Sequence, residues 1–262
     1  MKRIQITKKK IGNLHRENSN YKNPKKSKKL RFNRIILKIS GEVLGTGKEI
    51  FNLKSLDHII KQIAEANRLG VKIGVVIGGG NLIRGREVQW LNKVDADICG
   101  MLSTVMNGIV IYSQLRKNDI PAELSSGIEV AGVVKRCNKF RDLWFYESGT
   151  VLIFVGGTGN PLFTTDTAAA LRAVEFCAEI VIKATKVEGV YSADPKKYRT
   201  AKFYKKLTFN EAIEKQLAVM DLAAFNICRD SNIPINVYDF NKYPLCSILQ
   251  GKDIGTLITN GG

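Results

Sequence analysis

Histidine is nearly absent from this chain of 262 residues. Its two copies, His15 and His58, fall in a polar N-terminal stretch and inside an expected helix. A mechanism built on a histidine base or a histidine metal site therefore has almost nothing to work with. The five cysteines, Cys99, Cys137, Cys177, Cys228 and Cys246, form no C-x-x-C pair. That argues against a zinc module or a disulfide framework, and for small buried thiols in a reducing compartment. No apolar run reaches the roughly 18 residues of a membrane span, and no signal-peptide core follows the start. The expectation is a cytoplasmic protein with no membrane partner. Also missing are the P-loop pattern, the G-x-G-x-x-G dinucleotide fingerprint and the G-x-S-x-G elbow. Chemistry is left to Lys, Arg, Asp and backbone amides.

The residues that are present have globular proportions. At 44% hydrophobic and 25% charged, the chain can bury a core of ordinary size. The net charge of +17 is uneven: residues 1–34 hold thirteen Lys or Arg against one Glu. This Lys- and Asn-rich stretch lacks apolar periodicity, so residues 1–33 are expected to be a disordered basic extension, with a catalytic domain over 34–262. A nucleic-acid-binding arm, a targeting extension and a plain solvated tail all fit it.

The folded part is organised around 151–172, VLIFVGGTGNPLFTTDTAAALR. A β-branched run leads into a turn of small residues and then a helix start, with Asp166 as the expected N-cap. Glycines there let N–H groups approach an anion closely, and the helix dipole favours negative charge. An ordinary βα turn with incidental glycines would read the same. The pattern recurs, however, at 71–85, where an apolar strand runs into GGGNLIRG. Two such loops point to two phosphate-bearing ligands at one sheet edge. A strand at 34–39 carries Lys38 near its end, costly to bury unless it meets an anion or snorkels out. A strand at 179–185 carries Lys183 in the same way.

Other elements follow from periodicity. Helices are expected at 53–69, 97–117, 139–146 and 222–230, the one from 97 with Met101, Leu102, Val105, Met106, Ile109 and Tyr112 turned inward. A capping box, Thr208-x-x-Glu211, opens another, and Asp221 caps the helix at 222. Strands alternating with helices imply an α/β protein, a three-layer α/β/α sandwich around a mainly parallel sheet.

Six stretches then resemble the motifs of one family: KISGE (38–42), IGGGNLIRG (77–85), GMLSTVMN (100–107), GTGNPLFTTD (157–166), KATKVEGV (183–190) and VMDLAAF (219–225). In this order they resemble the bacterial-type uridylate (UMP) kinases of the amino-acid-kinase fold. The resemblance implies transfer of the ATP γ-phosphoryl to UMP, giving UDP and ADP in pyrimidine nucleotide biosynthesis. It also implies Mg2+ with the ATP, no directly assigned metal ligand, and a homohexamer. On the ATP side it places Lys38, Ile39, Ser40, Gly41, Gly80, Arg84, Thr185, Tyr191 and Asp194. On the UMP side it places Gly79, Asp97, Thr158, Gly159, Asn160, Pro161, Leu162, Phe163, Thr164 and Thr165. Lys38, Arg84, Asp166, Lys183 and Asp221 are the implied catalytic set. Two features depart from the family pattern: the loop 45–52, in length and glycine placement, and the basic tail.

The residue inventory suits this chemistry independently. A nucleoside monophosphate, with a second pKa of about 6, needs no general base near neutral pH. Two polyanions need cations between them, and positioning carries the reaction. Three other readings stay open on sequence alone: a kinase of the same fold acting on a carboxylate or carbamate, a nucleotide- or RNA-binding module with a dead site, and an assembly subunit.

Overall fold

The computed structural model describes residues 29–261, apart from 47, 84–87, 89, 196 and 218. Ten strands and seven α-helices follow one another as β1 (Arg34–Ile39), α1 (Leu53–Arg68), β2 (Lys72–Ile77), α2 (Lys93–Lys117), β3 (Ala122–Ser126), α3 (Lys139–Glu147), β4 (Val151–Val155), α4 (Thr165–Glu175), β5 (Ile180–Thr185), β6 (Val190–Tyr191), β7 (Phe203–Tyr204), β8 (Lys206–Thr208), α5 (Phe209–Glu214), α6 (Leu222–Asp230), β9 (Ile235–Asp239), α7 (Leu245–Leu249) and β10 (Thr256–Thr259). Eight strands make one sheet in the order β3-β4-β2-β1-β5-β9-β10-β8, with β6 and β7 a separate ribbon. Every pairing in the large sheet is parallel except β9 with β10.

Alternation along the strands builds the three layers. Ile35, Leu37 and Ile39 of β1 join Ile73, Val75 and Ile77 of β2 in a core shared with α1, α2 and α7. The even-numbered series, Ile36 on β1 and Val76 on β2, joins a second core with Ala168, Ala169 and Ala173 of α4 and Phe225 of α6. Strands buried on both faces read as continuous apolar runs, which is why they were plain in the sequence. Lys38 continues this series on β1 and Lys183 follows Val181 on the same face of β5, so both side chains enter the α4 layer, where small alanines let that helix lie close.

Three expectations need correction. Of the extension drawn at 1–33, residues 1–28 lie outside the described residues, but 29–33 belong with the body. Leu30 and Phe32 pack against the first core, and the Arg31 N–H donates to the Leu249 carbonyl at 2.7 Å. Two apolar residues among lysines gave too short a pattern to register as an element. The second correction is that α2 starts at Lys93, not 97, with Asn92 as its N-cap accepting from the Asp95 N–H at 2.9 Å. Its inward face is also not the expected one. Met101 and Val105 are buried, but Leu102, Met106 and Ile109 are exposed together with Val94 and Ile98. Thr104, Asn107 and Gly108 take the inner positions instead. The helix is apolar on both sides, so periodicity alone could not choose. By length and composition it is the one described helix apolar enough to cross a membrane, yet its inner side packs on the sheet. Third, the N-cap of α4 is Thr164, whose hydroxyl accepts from the Asp166 N–H at 3.0 Å. Asp166 lies inside the first turn, and its carboxylate is released from capping.

Candidate active site

Lys38 and Lys183 are direct neighbours in register across β1 and β5. Adjacent parallel strands in register present such residues to the same face. Each is nearly enclosed, at 5% and 8% exposure. Between them stands Asp166, with Oδ1 at 2.8 Å from the Lys38 Nζ and Oδ2 at 2.7 Å from the Lys183 Nζ. The Lys183 ammonium also donates to the Val219 carbonyl. Burial pushes the Asp166 carboxyl upward, but the charges of Lys38 and Lys183 outweigh it and hold the group below its ordinary range. For Lys183 burial acts first and the charge of Lys38 second; Asp166 opposes both, and the result is an ammonium pKa lowered to about 8. One carboxylate thus serves two buried cations, with the Asp221 charge acting on Lys183 from nearby.

Asp221 ties the neighbouring helix to this point. As N-cap of α6 it accepts from the Ala224 N–H at 2.7 Å, as the sequence indicated. It also accepts from Thr164 and from the Thr167 hydroxyl, the latter at 2.8 Å, which joins the starts of α4 and α6. Thr164 was expected on the UMP side, and its hydroxyl turns instead to Asp221; Thr167, one turn on, had no sequence signal of its own.

Two clefts open on either side. One of about 300 Å3 is lined by Gly79, Asp97, Asn160, Leu162, Phe163, Thr164 and Thr165, all expected around the acceptor. Gly80, expected toward ATP, lines this same cleft. Thr158, Gly159 and Pro161 are not among its walls; Thr158 instead shapes the loop through bonds to Asn160 at 3.1 Å. Asp97, in the second turn of α2 and not at its cap, accepts from the Leu162 N–H at 2.8 Å. The other cleft, of about 420 Å3, is lined by Lys183, Thr185, Tyr191 and Asp194, as expected for the donor side. The two meet at the start of α4, where Thr165 borders the first and Asp166 binds Lys183 of the second. Ile39 has its side chain buried in the α1 layer, so only its backbone lies near the edge, and its carbonyl accepts from the Gly78 N–H at 2.8 Å. Arg84 lies outside the described residues. A small cavity of about 50 Å3 beside Arg31, Ile180 and Asn236 sits by the N-terminal ends of β5 and β9, away from this centre.

Backbone geometry explains the glycines. A Cβ on Gly41 would come within 2.6 Å of the Gly80 N and 2.7 Å of the Gly78 O, so the loops after β1 and β2 interlock. In the loop after β4, Gly156, Gly157 and Gly159 all have positive φ, at 68°, 55° and 83°. Gly127, which the sequence reading passed over, closes that loop from behind: a Cβ there would lie 2.6 Å from the Gly159 N.

Among the described residues the centre offers two buried lysines on one shared carboxylate between two clefts, with Asp221 close by and no histidine near it. That layout suits a phosphotransferase. The profile of the amino acid kinase family matches residues 33–239. The uridylate kinase of Buchnera aphidicola subsp. Schizaphis graminum is 46% identical over 234 residues, covering 88% of this chain and 98% of that protein. That of Coxiella burnetii is 43% identical over 234 residues, covering 88% and 96%. The solved UMP kinase from Bacillus anthracis superposes with a TM-score of 0.83 at 33% identity, covering 88% of this chain and 97% of that one. The chain belongs to the amino acid kinase family, in its uridylate kinase branch.

Proposed function

We propose that the chain transfers the γ-phosphoryl group of ATP to UMP. A phosphate oxygen of UMP attacks the γ-phosphorus, the bond to the β–γ bridging oxygen breaks, and that oxygen leaves on ADP. UMP occupies the cleft between the Gly79 loop and residues 157–165, and ATP the cleft between Thr185, Tyr191 and Asp194. Lys38 and Lys183 neutralise the oxygens of the group in flight, with Arg84 as a third cation. Asp166 aims both lysines, and Asp221 fixes α6 against the start of α4. The observation that carries this reading is the single carboxylate shared by two buried lysines at the junction of the clefts.

Mg2+ fits as the counterion of the ATP phosphates. No group of three or more His, Cys, Asp or Glu among the described residues could cage it, and Asp166 and Asp221 are already taken by lysines and by hydroxyls. Bound with ATP, it would spread the charge of the β- and γ-phosphates. The exposed stripe Val94, Ile98, Leu102, Met106 and Ile109 on α2 supports self-association, in line with a homohexamer.

Supplying ATP-Mg with UMP, CMP, AMP, carbamate, aspartate and N-acetylglutamate in turn tests the assignment through ADP release. UMP should be turned over far faster than any carboxylate or carbamate, and turnover of aspartate without UMP would overturn it. Asp97→Asn sharpens it. The carboxylate faces the acceptor cleft and does not cap its helix, so its loss should cost UMP about 1–3 kcal/mol of binding through a weakened charge-assisted bond. The penalty should shrink for dUMP, which lacks one ribose hydroxyl, and KM for ATP should hold. An unchanged KM for UMP removes Asp97 from the site.

A further inference from the structure

Helix α2 meets both glycine loops along one edge. Asp97 takes the Leu162 N–H, and three residues on, the Gly100 carbonyl lies where a Cβ on Gly79 would come within 2.8 Å. One turn further, the Thr104 hydroxyl accepts from the Gly156 N–H at 2.6 Å and donates to the Met101 carbonyl at 2.7 Å. Asn107 follows: its Nδ2 donates to the Gly78 carbonyl at 2.7 Å and to the Asn81 Oδ1 at 2.7 Å. Asn81 in turn reaches the Ile50 carbonyl at 3.0 Å. Thr104 and Asn107 are 2% and 0% exposed.

Two fully buried polar side chains at core positions of a helix cost stability unless their bonds are worth having. Here every partner outside the helix belongs to one of the two glycine loops that wall the acceptor cleft, which Thr104 also lines. Gly156 has φ 68° and turns its N–H toward α2, where Thr104 answers it. The Gly78 carbonyl opens the other loop. The two anchors stand three residues apart on a rigid element, so the spacing between the loops is set by the pitch of α2. In-line transfer between two bound phosphates is sensitive to displacements of about 1 Å, which can cost a hundredfold in rate.

We propose that Thr104 and Asn107 are positioning residues that fix the separation of the two loops walling the acceptor cleft and so aim the bound acceptor at the donor phosphate, so that the transfer step depends on them more than the affinity for either nucleotide. The inference rests on the function proposed above.

The test uses the full chain as wild type, Thr104→Val and Thr104→Ser, with Asn81→Ala as a half-buried partner variant should Thr104→Val not fold. Valine keeps the shape and removes the acceptor; serine restores it. Thr104→Val should lower kcat at least tenfold at a temperature well below its Tm, with KM for UMP and for ATP within about threefold of wild type. Thr104→Ser should recover kcat to within twofold. Asn81→Ala should show the same split with a smaller loss. Amide exchange, which needs no turnover, should speed up at least tenfold at residues 156–160 in Thr104→Val while β4 stays protected. The proposal is overturned by kcat within twofold in Thr104→Val, by a serine variant as poor as the valine one, by a loss confined to KM, or by unchanged exchange at 156–160. Wild type inert toward UMP would instead sink the functional reading and leave the exchange result to judge the anchoring.

Discussion

Lys183→Ala is expected to cut kcat at least a hundredfold while UMP affinity stays close to wild type, and Lys38→Ala to do the same. Both ammonium groups project from adjacent strands into one spot, held by opposite oxygens of Asp166. Removing a preorganised cation from a dry site costs about 3 kcal/mol of transition-state stabilisation, or a hundredfold in rate. Neither lysine lines the acceptor cleft, so calorimetry should find UMP binding intact. Lost UMP affinity with normal turnover at saturating UMP would contradict the assignment. The lysine pKa of about 8 adds a second readout. The charged form is needed, so kcat/KM for ATP, which reports the free enzyme, should fall as pH rises above about 8. Stability should respond in the opposite sense. An unfolded lysine keeps its proton to about 10.5, so between 8 and 10.5 the unfolded state holds more protons and the Lys183 contribution to stability rises with pH. Lys183→Arg should abolish the inflection near 8; its persistence would assign it to another group.

Asp166→Asn should be worse than either lysine change. The amide keeps the shape but leaves two buried ammonium groups facing each other without the carboxylate they share. Breaking a buried ion pair from one side costs about 3–5 kcal/mol. For a domain of this size that lowers Tm by roughly 10 °C. Turnover should fall more than a hundredfold, because both cations lose their aim together. A second change separates the two effects: Lys38→Met added to Asp166→Asn removes the repulsion and should restore much of the Tm without restoring kcat. An Asp166→Asn protein that melts like wild type would show that the carboxylate does not carry the pair. In the wild type, the depressed Asp166 pKa means its contribution is present above the ordinary value of 3.8 and is lost as pH falls through the lowered one.

Much of this was legible in the residues. The parallel strands could be read because burial on both faces leaves unbroken apolar runs, and Lys38 and Lys183 stood out as interruptions of two such runs. The Asp221 cap and the Thr208–Glu211 box were local patterns and were found as such. The motif order led to the family. What was hidden depended on neighbours distant in sequence. Asp166 and Thr164 are both good caps, and only the lysines waiting across the layer decide which one does the capping. The inner side of α2 could not be chosen from periodicity, because its buried face is partly polar where it grips loops and its exposed face is apolar. Gly127 is an unremarkable residue after a strand until the loop after β4 is packed against it. Leu30 and Phe32 were lost among lysines.

The pairing of β1 with β5 has a consequence for biogenesis. The first strand of the body sits in the middle of the sheet, and its second neighbour is synthesised only after β2, β3 and β4. Until then, a growing chain carries Ile35, Ile36 and Leu37 on an open strand edge, the type of surface that recruits other chains. Closing so long a loop also makes the central pairing slow relative to local helix formation. Emergence of β5 from the ribosome therefore covers β1 but hands the open edge to β5 itself until β9 arrives, and chains truncated before residue 235 should be the ones that chaperones retain.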